Sequence, residues 1–332
     1  MEVAAAPDPA AGRWSGRRVL VTGATGLIGS WLVRDLIAGG ADVVALVLDA
    51  NPQSELFRSG DIARVAVVNG MLEDYRAVER AVALHEVDTV FHLGAQTLVG
   101  VAHRSPLATF EANIRGTYNL LEACRTHRSH VERVIIASSD KAYGEGETLP
   151  YTETMPLRGT HPYEVSKSCA DLLAQSYYRS YGLPVTVARC GNVYGGGDLN
   201  WSRLVPGTIR SLLRGERPVI RSDGSFRRDY IFVRDVARAY VRLAERMGCP
   251  GVDGEAFNFS DESPLSVLEM VGAIAVAVGT GVEPDIRNVA VGEIRDQYLS
   301  SSKARRVLGW KAESSLPGAL RETVGWYRDA LR

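Results

Sequence analysis

The stretch RVLVTGATGLIGSWLVRDLIA, residues 18–38, decides the fold. Arg18–Thr22 is a short apolar run, and Leu27–Ala38 has helical spacing. Between them stand Gly23, Gly26 and Gly29, three residues apart. The first glycine permits a tight turn, the second lets backbone approach a pyrophosphate, and the third lets helix and strand pack closely. The N-terminus of the following helix attracts phosphates. Glycines at this spacing are a weak signal alone. Here a strand pattern precedes them, a helix pattern follows, and Asp49 stands twenty residues beyond Gly29 after a second apolar run. That context predicts a dinucleotide site. Asp49 would accept hydrogen bonds from the ribose hydroxyls and repel a 2′-phosphate, which favours NAD over NADP. A turn aspartate beside Asn51-Pro52 is the structural alternative.

The signature repeats outward from this unit. DVVALVL (42–48), Arg64–Val68, TVFHL (89–93), RVIIAS (133–138) and PVTVAR (184–189) are apolar runs of the kind buried on both faces of a parallel sheet. Helical stretches fall between them, at Tyr75–His85, Phe110–Thr126 and Val165–Tyr181. The alternation predicts an α/β fold of Rossmann type, a doubly wound parallel sheet with helices on both faces. After Arg189 the pattern loosens. Gly191–Gly197 reads as a loop, 203–214 as a helix, 223–229 as a polar turn, and Ser302–Leu308 and Pro317–Leu331 as helices. The expected organisation is a disordered tail over 1–15, an NAD-binding domain over 16–189 and a smaller α/β substrate domain over 190–332. A segment near 230–242 is expected to return to the first domain.

The chain has 332 residues, 23% charged and 45% hydrophobic, with a net charge of -1. This is the composition of a soluble globular protein. No basic excess points to nucleic acid or an anionic membrane, and no apolar run is long enough to span a bilayer. The N-terminal residues lack the apolar core of a secretory signal. Cys124, Cys169, Cys190 and Cys249 are far apart with no C-x-x-C pair, so neither zinc nor a disulfide framework is expected. No metal site is expected, and a cytoplasmic setting is.

Tyr163-Glu-Val-Ser-Lys167 opens a helix pattern. Residues four apart share a face, so the phenol and the amine can meet at one site. A phenol is a poor base at neutral pH, but a nearby ammonium and a cationic nicotinamide both favour phenolate. Phenolate can take the proton of a sugar hydroxyl while hydride leaves. An isolated Tyr-x-x-x-Lys would more often be a surface pair. Its companion is Ser138-Ser139-Asp140-Lys141-Ala142-Tyr143-Gly144 at the end of a strand, where such sheets bind ligands. Ser139 is the candidate to hydrogen-bond the reacting hydroxyl.

These pieces resemble an extended short-chain dehydrogenase/reductase of the branch that modifies nucleotide sugars. The resemblance runs from Arg18 to Arg332. It is carried by the glycine loop, His92-Leu-Gly-Ala-Gln96, Asn113-Ile-Arg-Gly-Thr-Tyr-Asn-Leu-Leu-Glu122, Ser139 with Tyr163 and Lys167, Arg189-Cys-Gly-Asn-Val-Tyr194, Arg228-Asp-Tyr230 and Arg295-Asp296. It implies NAD on the first domain, a nucleotide-diphosphate sugar on the second, and a homodimer through helices near 110–126 and 165–181. The implied cofactor contacts are Gly23, Thr25, Gly26, Leu27, Ile28, Gly29, Asp49, Met71, Leu72, Leu93, Ala95, Tyr163, Lys167 and Cys190. The implied substrate contacts are Gln96, Asn192, Arg203, Arg228 and Arg295, with Arg228 and Arg295 as diphosphate clamps. Asn113 is expected to be structural.

Asp140-Lys141 resembles the CDP-glucose 4,6-dehydratase group, as do Leu48-Asp-Ala, His161-Pro-Tyr163 and Arg203-Leu-Val-Pro206. In that reading Asp140 is the general acid and Lys141 the base of an elimination. Arg228-Asp-Tyr230 looks more like the 4-epimerases, which need Ser139, Tyr163 and Lys167 but no Asp140 acid. A dinucleotide-binding protein without catalysis is the third class, and an intact Ser–Tyr–Lys set argues against it.

Overall fold

The computed structural model describes residues 12–146, 148–289 and 294–332. Its centre is a seven-stranded parallel sheet. Six strands are β1 (Arg18–Thr22), β2 (Asp42–Val47), β3 (Ala66–Asn69), β4 (Thr89–His92), β5 (Arg133–Ser139) and β6 (Val185–Cys190). The spatial order is Ala256–Phe259, β6, β5, β4, β1, β2, β3. Helix α1 (Leu27–Ala38) follows β1 directly.

Alternate residues of a strand face opposite sides, and both sides here are covered. Val19, Val21, Ala45, Phe91 and Ile135 face one core, packed under α1 and the helix Val233–Arg246. Leu20, Val44, Leu46, Val90 and Ile136 face the other, under Tyr75–Leu84, Gly116–Thr126 and Pro162–Tyr181. That explains the unbroken apolar runs.

Several expectations need adjusting. The tail over 1–15 falls partly outside the described residues, but Trp14 does not belong to it. Its indole is buried against Phe91, ring centroids 6.1 Å apart, and the Trp14 backbone N–H donates to the Gly39 carbonyl at 2.9 Å. The returning segment is larger than 230–242. Val236, Ala239, Tyr240 and Leu243 pack on α1, and Ala256–Phe259 then joins the sheet beside β6. The helix expected over 110–126 is interrupted: Pro106–Phe110 leads into a π-helical turn at Glu111–Arg115 before Gly116–Thr126. Asn113 lies in that turn. Its side chain bonds the Gln96 backbone at 2.7 and 3.0 Å and the Ser166 hydroxyl at 2.9 Å. A π turn is a common way to aim one side chain inward at a functional site.

The C-terminal part forms a third core around Tyr194, Ile209, Phe232, Met270 and Leu320. It meets the sheet at the carboxyl ends of the strands. No helix among the described residues is long and apolar enough to cross a membrane.

Candidate active site

A cleft of about 1350 Å³ runs between the sheet and the C-terminal part. The glycine loop forms one wall. Gly23 has φ +70, a conformation that side chains rarely adopt, and a Cβ there would lie 2.7 Å from the Gly94 nitrogen. At Gly29 a Cβ would lie 2.1 Å from the Gly23 carbonyl. Gly26 differs, because an added Cβ would meet only the Gly23 oxygen, at 3.2 Å. Its remaining side is open to the cleft. The first turn of α1 carries no acidic residue, so its free N–H groups face the cleft without a competing charge. This cradle fits a dinucleotide pyrophosphate.

Thr25, Leu27, Ile28, Leu72, Leu93, Ala95 and Cys190 line the cleft with the three glycines. Asp49 and Met71 do not. Both are exposed just past strand ends, and the wall at those points is made by Leu48 and Asn51, and by Leu72 and Glu73. Spacing alone could not tell Asn51 or Glu73 from their neighbours.

All five candidate catalytic residues line the cleft. Tyr163 and Lys167 sit in the first turns of Pro162–Tyr181, whose start is fixed by a capping box between His161 and Glu164 and by Pro162 in the first turn. Burial pushes the Tyr163 phenol up to about 12; the Arg203 charge and the Ser139 hydroxyl work against that shift. Burial takes the Lys167 amine down to about 8. The amine donates to the Ala137 carbonyl at 2.9 Å. Sequence reasoning assigned the cation beside the phenol to Lys167. Arg203 is a second positive charge that lowers the phenol.

The acid/base loop leaves β5 as a turn of 3-10 helix, Asp140–Tyr143. The Ser139 hydroxyl donates to Asp140 Oδ1 at 2.9 Å. Asp140 Oδ2 is buried and has no hydrogen-bond partner among the described residues. Ser138 Oγ and Asn192 Nδ2 are also buried without partners among the described residues, and both residues line the same cleft. Buried polar atoms left unpaired are costly, so three at one cleft mark a place built for a polar ligand. Lys141 Nζ donates to Gln297 Oε1, and Gln297 Nε2 donates to the Asp140 carbonyl at 3.1 Å.

Of the candidate substrate residues, Gln96, Asn192, Arg203 and Arg228 line the cleft. Arg203 also pairs with Asp198 at 3.2 Å. Arg295 does not meet the expectation of a clamp. Its side chain is exposed and off the wall, and its backbone carbonyl accepts from Arg228 at 2.7 Å. The pairing of Asp296–Gln297 with Arg227–Arg228 sets that carbonyl against Arg228. Tyr240, Arg210 and Arg221 line the cleft too. No motif singled them out.

The arrangement can hold a dinucleotide on the sheet side, hold a polar ligand opposite, and move protons between them. Comparison with known proteins agrees. The family model described as "NAD dependent epimerase/dehydratase family" matches residues 19–258. The CDP-glucose 4,6-dehydratase of Salmonella typhimurium is 32% identical over 340 residues, covering 96% of this chain and 92% of that protein. The crystal structure of a UDP-glucose 4-epimerase from Thermotoga maritima, with UDP-glucose, superimposes with a TM-score of 0.86 at 31% identity. That match covers 95% of this chain and all of the other. A dTDP-glucose 4,6-dehydratase from Streptomyces venezuelae, solved with NAD bound, gives 0.82 at 29% identity, covering 94% of this chain and 97% of the other.

Proposed function

This chain belongs to the NAD-dependent epimerase/dehydratase family, and from that premise we propose that it is an NAD-dependent nucleotide-sugar 4,6-dehydratase acting on a CDP-glucose-like substrate. The observation that carries the reading is Asp140, on the wall that holds Ser139 and Tyr163, whose buried Oδ2 has no partner among the described residues.

Bound NAD supplies a hydride store, filled from sugar carbon 4 and emptied at carbon 6. Tyr163, as phenolate, takes the proton of the carbon 4 hydroxyl, and Ser139 holds that hydroxyl's oxygen. Lys167 favours the phenolate when charged. The ketone formed at carbon 4 acidifies the proton on carbon 5. Lys141, as neutral amine, takes that proton, and the bond's electron pair becomes the double bond between carbons 5 and 6. Asp140 gives its proton to the carbon 6 hydroxyl, which leaves as water. Carbon 5 takes back a proton as carbon 6 is reduced. Gln96, Asn192, Arg203 and Arg228 hold the nucleotide diphosphate and sugar. Guanidinium suits phosphate by its planar fork.

We assign the NAD-binding unit to 16–189 with its returning segments, and the nucleotide-sugar unit to 190–332. Exposed Leu107, Tyr118 and Leu172 on the helices around 106–126 and 162–181 support a homodimer through that face. Four free cysteines support a reducing, cytoplasmic setting.

A 4-epimerase is the second reading, favoured by the Thermotoga maritima superposition. Substrate deuterated at carbon 4 separates the two. A dehydratase delivers the deuterium to carbon 6 of a 4-keto-6-deoxy product. Deuterium retained at carbon 4 of an epimerised sugar would sink the dehydratase reading.

A further inference from the structure

Gln297 was singled out by no motif, yet it is buried to 0% exposure and both ends of its amide are bonded. The oxygen end accepts from the Lys141 amine, and the nitrogen end donates to the Asp140 carbonyl at 3.1 Å. Both targets belong to the acid/base loop. Its backbone belongs to the other wall. Gln297 stands directly across from Arg228 in the pairing of Asp296–Gln297 with Arg227–Arg228. The same ladder is tightened by the Arg227 N–H to Asp296 Oδ1 at 3.1 Å and by the Arg228 guanidinium to the Arg295 carbonyl at 2.7 Å.

From this geometry we infer that Gln297 is a positioning residue for the elimination, holding Lys141 and the Asp140 backbone in register with the Arg228 wall. The inference rests on the dehydratase reading. A lysine side chain has four rotatable bonds and needs an external hold to present its nitrogen to one carbon. Asp140 is fixed through Ser139 on one side and through its own carbonyl on the other. Tyr163 and Lys167 have neither of these contacts with Gln297, and Lys167 is anchored separately on Ala137. Loss of the Gln297 amide therefore separates the two halves of the reaction. Oxidation at carbon 4 continues, and elimination slows.

The test uses the full-length protein with CDP-glucose in single turnover. Reduced nicotinamide is followed by its absorbance, elimination by the 4-keto-6-deoxy product, and carbon 5 proton abstraction by exchange with deuterated water. Gln297→Met keeps the volume and removes both hydrogen bonds. It should slow elimination and exchange at least about tenfold, the low end of what general acid–base catalysis is worth, with oxidation within twofold of wild type. Reduced cofactor should then accumulate. Gln297→Glu, which is isosteric, keeps an acceptor for Lys141 but sets a carboxylate beside it. That favours the protonated amine, so elimination should fall at neutral pH and recover as pH rises, its rising limb displaced upward. This variant carries the test if Gln297→Met does not fold. Equal slowing of oxidation and elimination, or an unchanged ratio with no displaced limb, overturns the role of Gln297. Wild-type enzyme that only epimerises its sugar overturns the dehydratase reading and the inference together.

Discussion

At the scale of the residue, the cost of the site is clearest at Lys167. Its side chain is buried, and its amine has one acceptor among the described residues, the Ala137 carbonyl at 2.9 Å. Burial takes the folded-state value from 10.5 to about 8. Below pH 8 the lysine is charged in both the folded and unfolded chain, and only the folded chain bears the desolvation penalty. Between 8 and 10.5 the unfolded chain binds the additional proton, so stability rises with pH through that window. The difference of 10.5 and about 8 corresponds to about 3 kcal/mol at 1.36 per unit. One hydrogen bond offsets about 1 kcal/mol of it. Lys167→Met should therefore be inactive but more stable at pH 7, by about 2 kcal/mol. The gain should shrink as pH climbs from 8 to 10.5. Urea midpoints of both proteins across that range measure it. A variant less stable than wild type at pH 7, or a difference that ignores pH, contradicts this account.

At the scale of the element, the helix that carries Tyr163 and Lys167 is fixed to the sheet by a buried ion pair. Arg189 on β6 bonds Asp171 on that helix through two nitrogens, at 2.7 and 2.9 Å. Its third nitrogen donates to the Tyr143 hydroxyl at 2.7 Å, and that hydroxyl donates to Asn258 at 2.7 Å. Four elements thus share one charged network: β6, the Tyr163 helix, the acid/base loop and the edge strand Ala256–Phe259. Removing one partner of a buried pair leaves the other charge uncompensated, which costs about 3–5 kcal/mol. Asp171→Ala should lose about that much by urea denaturation, and Asp171→Asn less, because an amide still accepts a hydrogen bond. If Asp171→Ala loses under 1 kcal/mol, water reaches this pair and the network does not hold the helix.

That network also explains what the sequence made legible. β1, β2, β4, β5 and β6 were readable because strands covered on both faces are apolar throughout, and α1 because it follows the glycine loop at once. Ala256–Phe259 was not readable. Its run AFNF contains a polar Asn258, whose burial is matched by partners more than a hundred residues away: the Tyr143 hydroxyl donates to its Oδ1, and its Nδ2 donates to the Tyr151 carbonyl. Ser139, Asp140, Lys141, Tyr163 and Lys167 stood out by spacing and family likeness. Gln297 could not, since a lone glutamine in a two-residue strand has neither period nor motif. Arg295 misled for the opposite reason: the motif was present, but the strand pairing turned its carbonyl to Arg228 and left its side chain outside.

At the scale of the whole molecule, the cleft lies between two cores that the chain crosses repeatedly. The sheet side offers the glycine loop and the N-terminus of α1, and the far side offers Arg203, Asn192 and Arg228. Each wall should then bind its own ligand, and each ligand should stabilise the fold by mass action. At a concentration one hundred times its Kd, a ligand that binds only folded protein contributes about 2.7 kcal/mol. For a chain of this size that raises Tm by several degrees. NAD and CDP, added separately, should each do so. Gly26→Val puts a side chain into the glycine loop, where an added Cβ meets only the Gly23 oxygen, at 3.2 Å, and should abolish the NAD shift while sparing the CDP shift. Arg228→Met removes the guanidinium and keeps the stem, and should do the reverse. Each variant is compared with itself without ligand, so a lower starting Tm does not enter. Should either substitution erase both shifts, the two walls would not be separable binding units, and the assignment of cofactor to one and nucleotide to the other would fail.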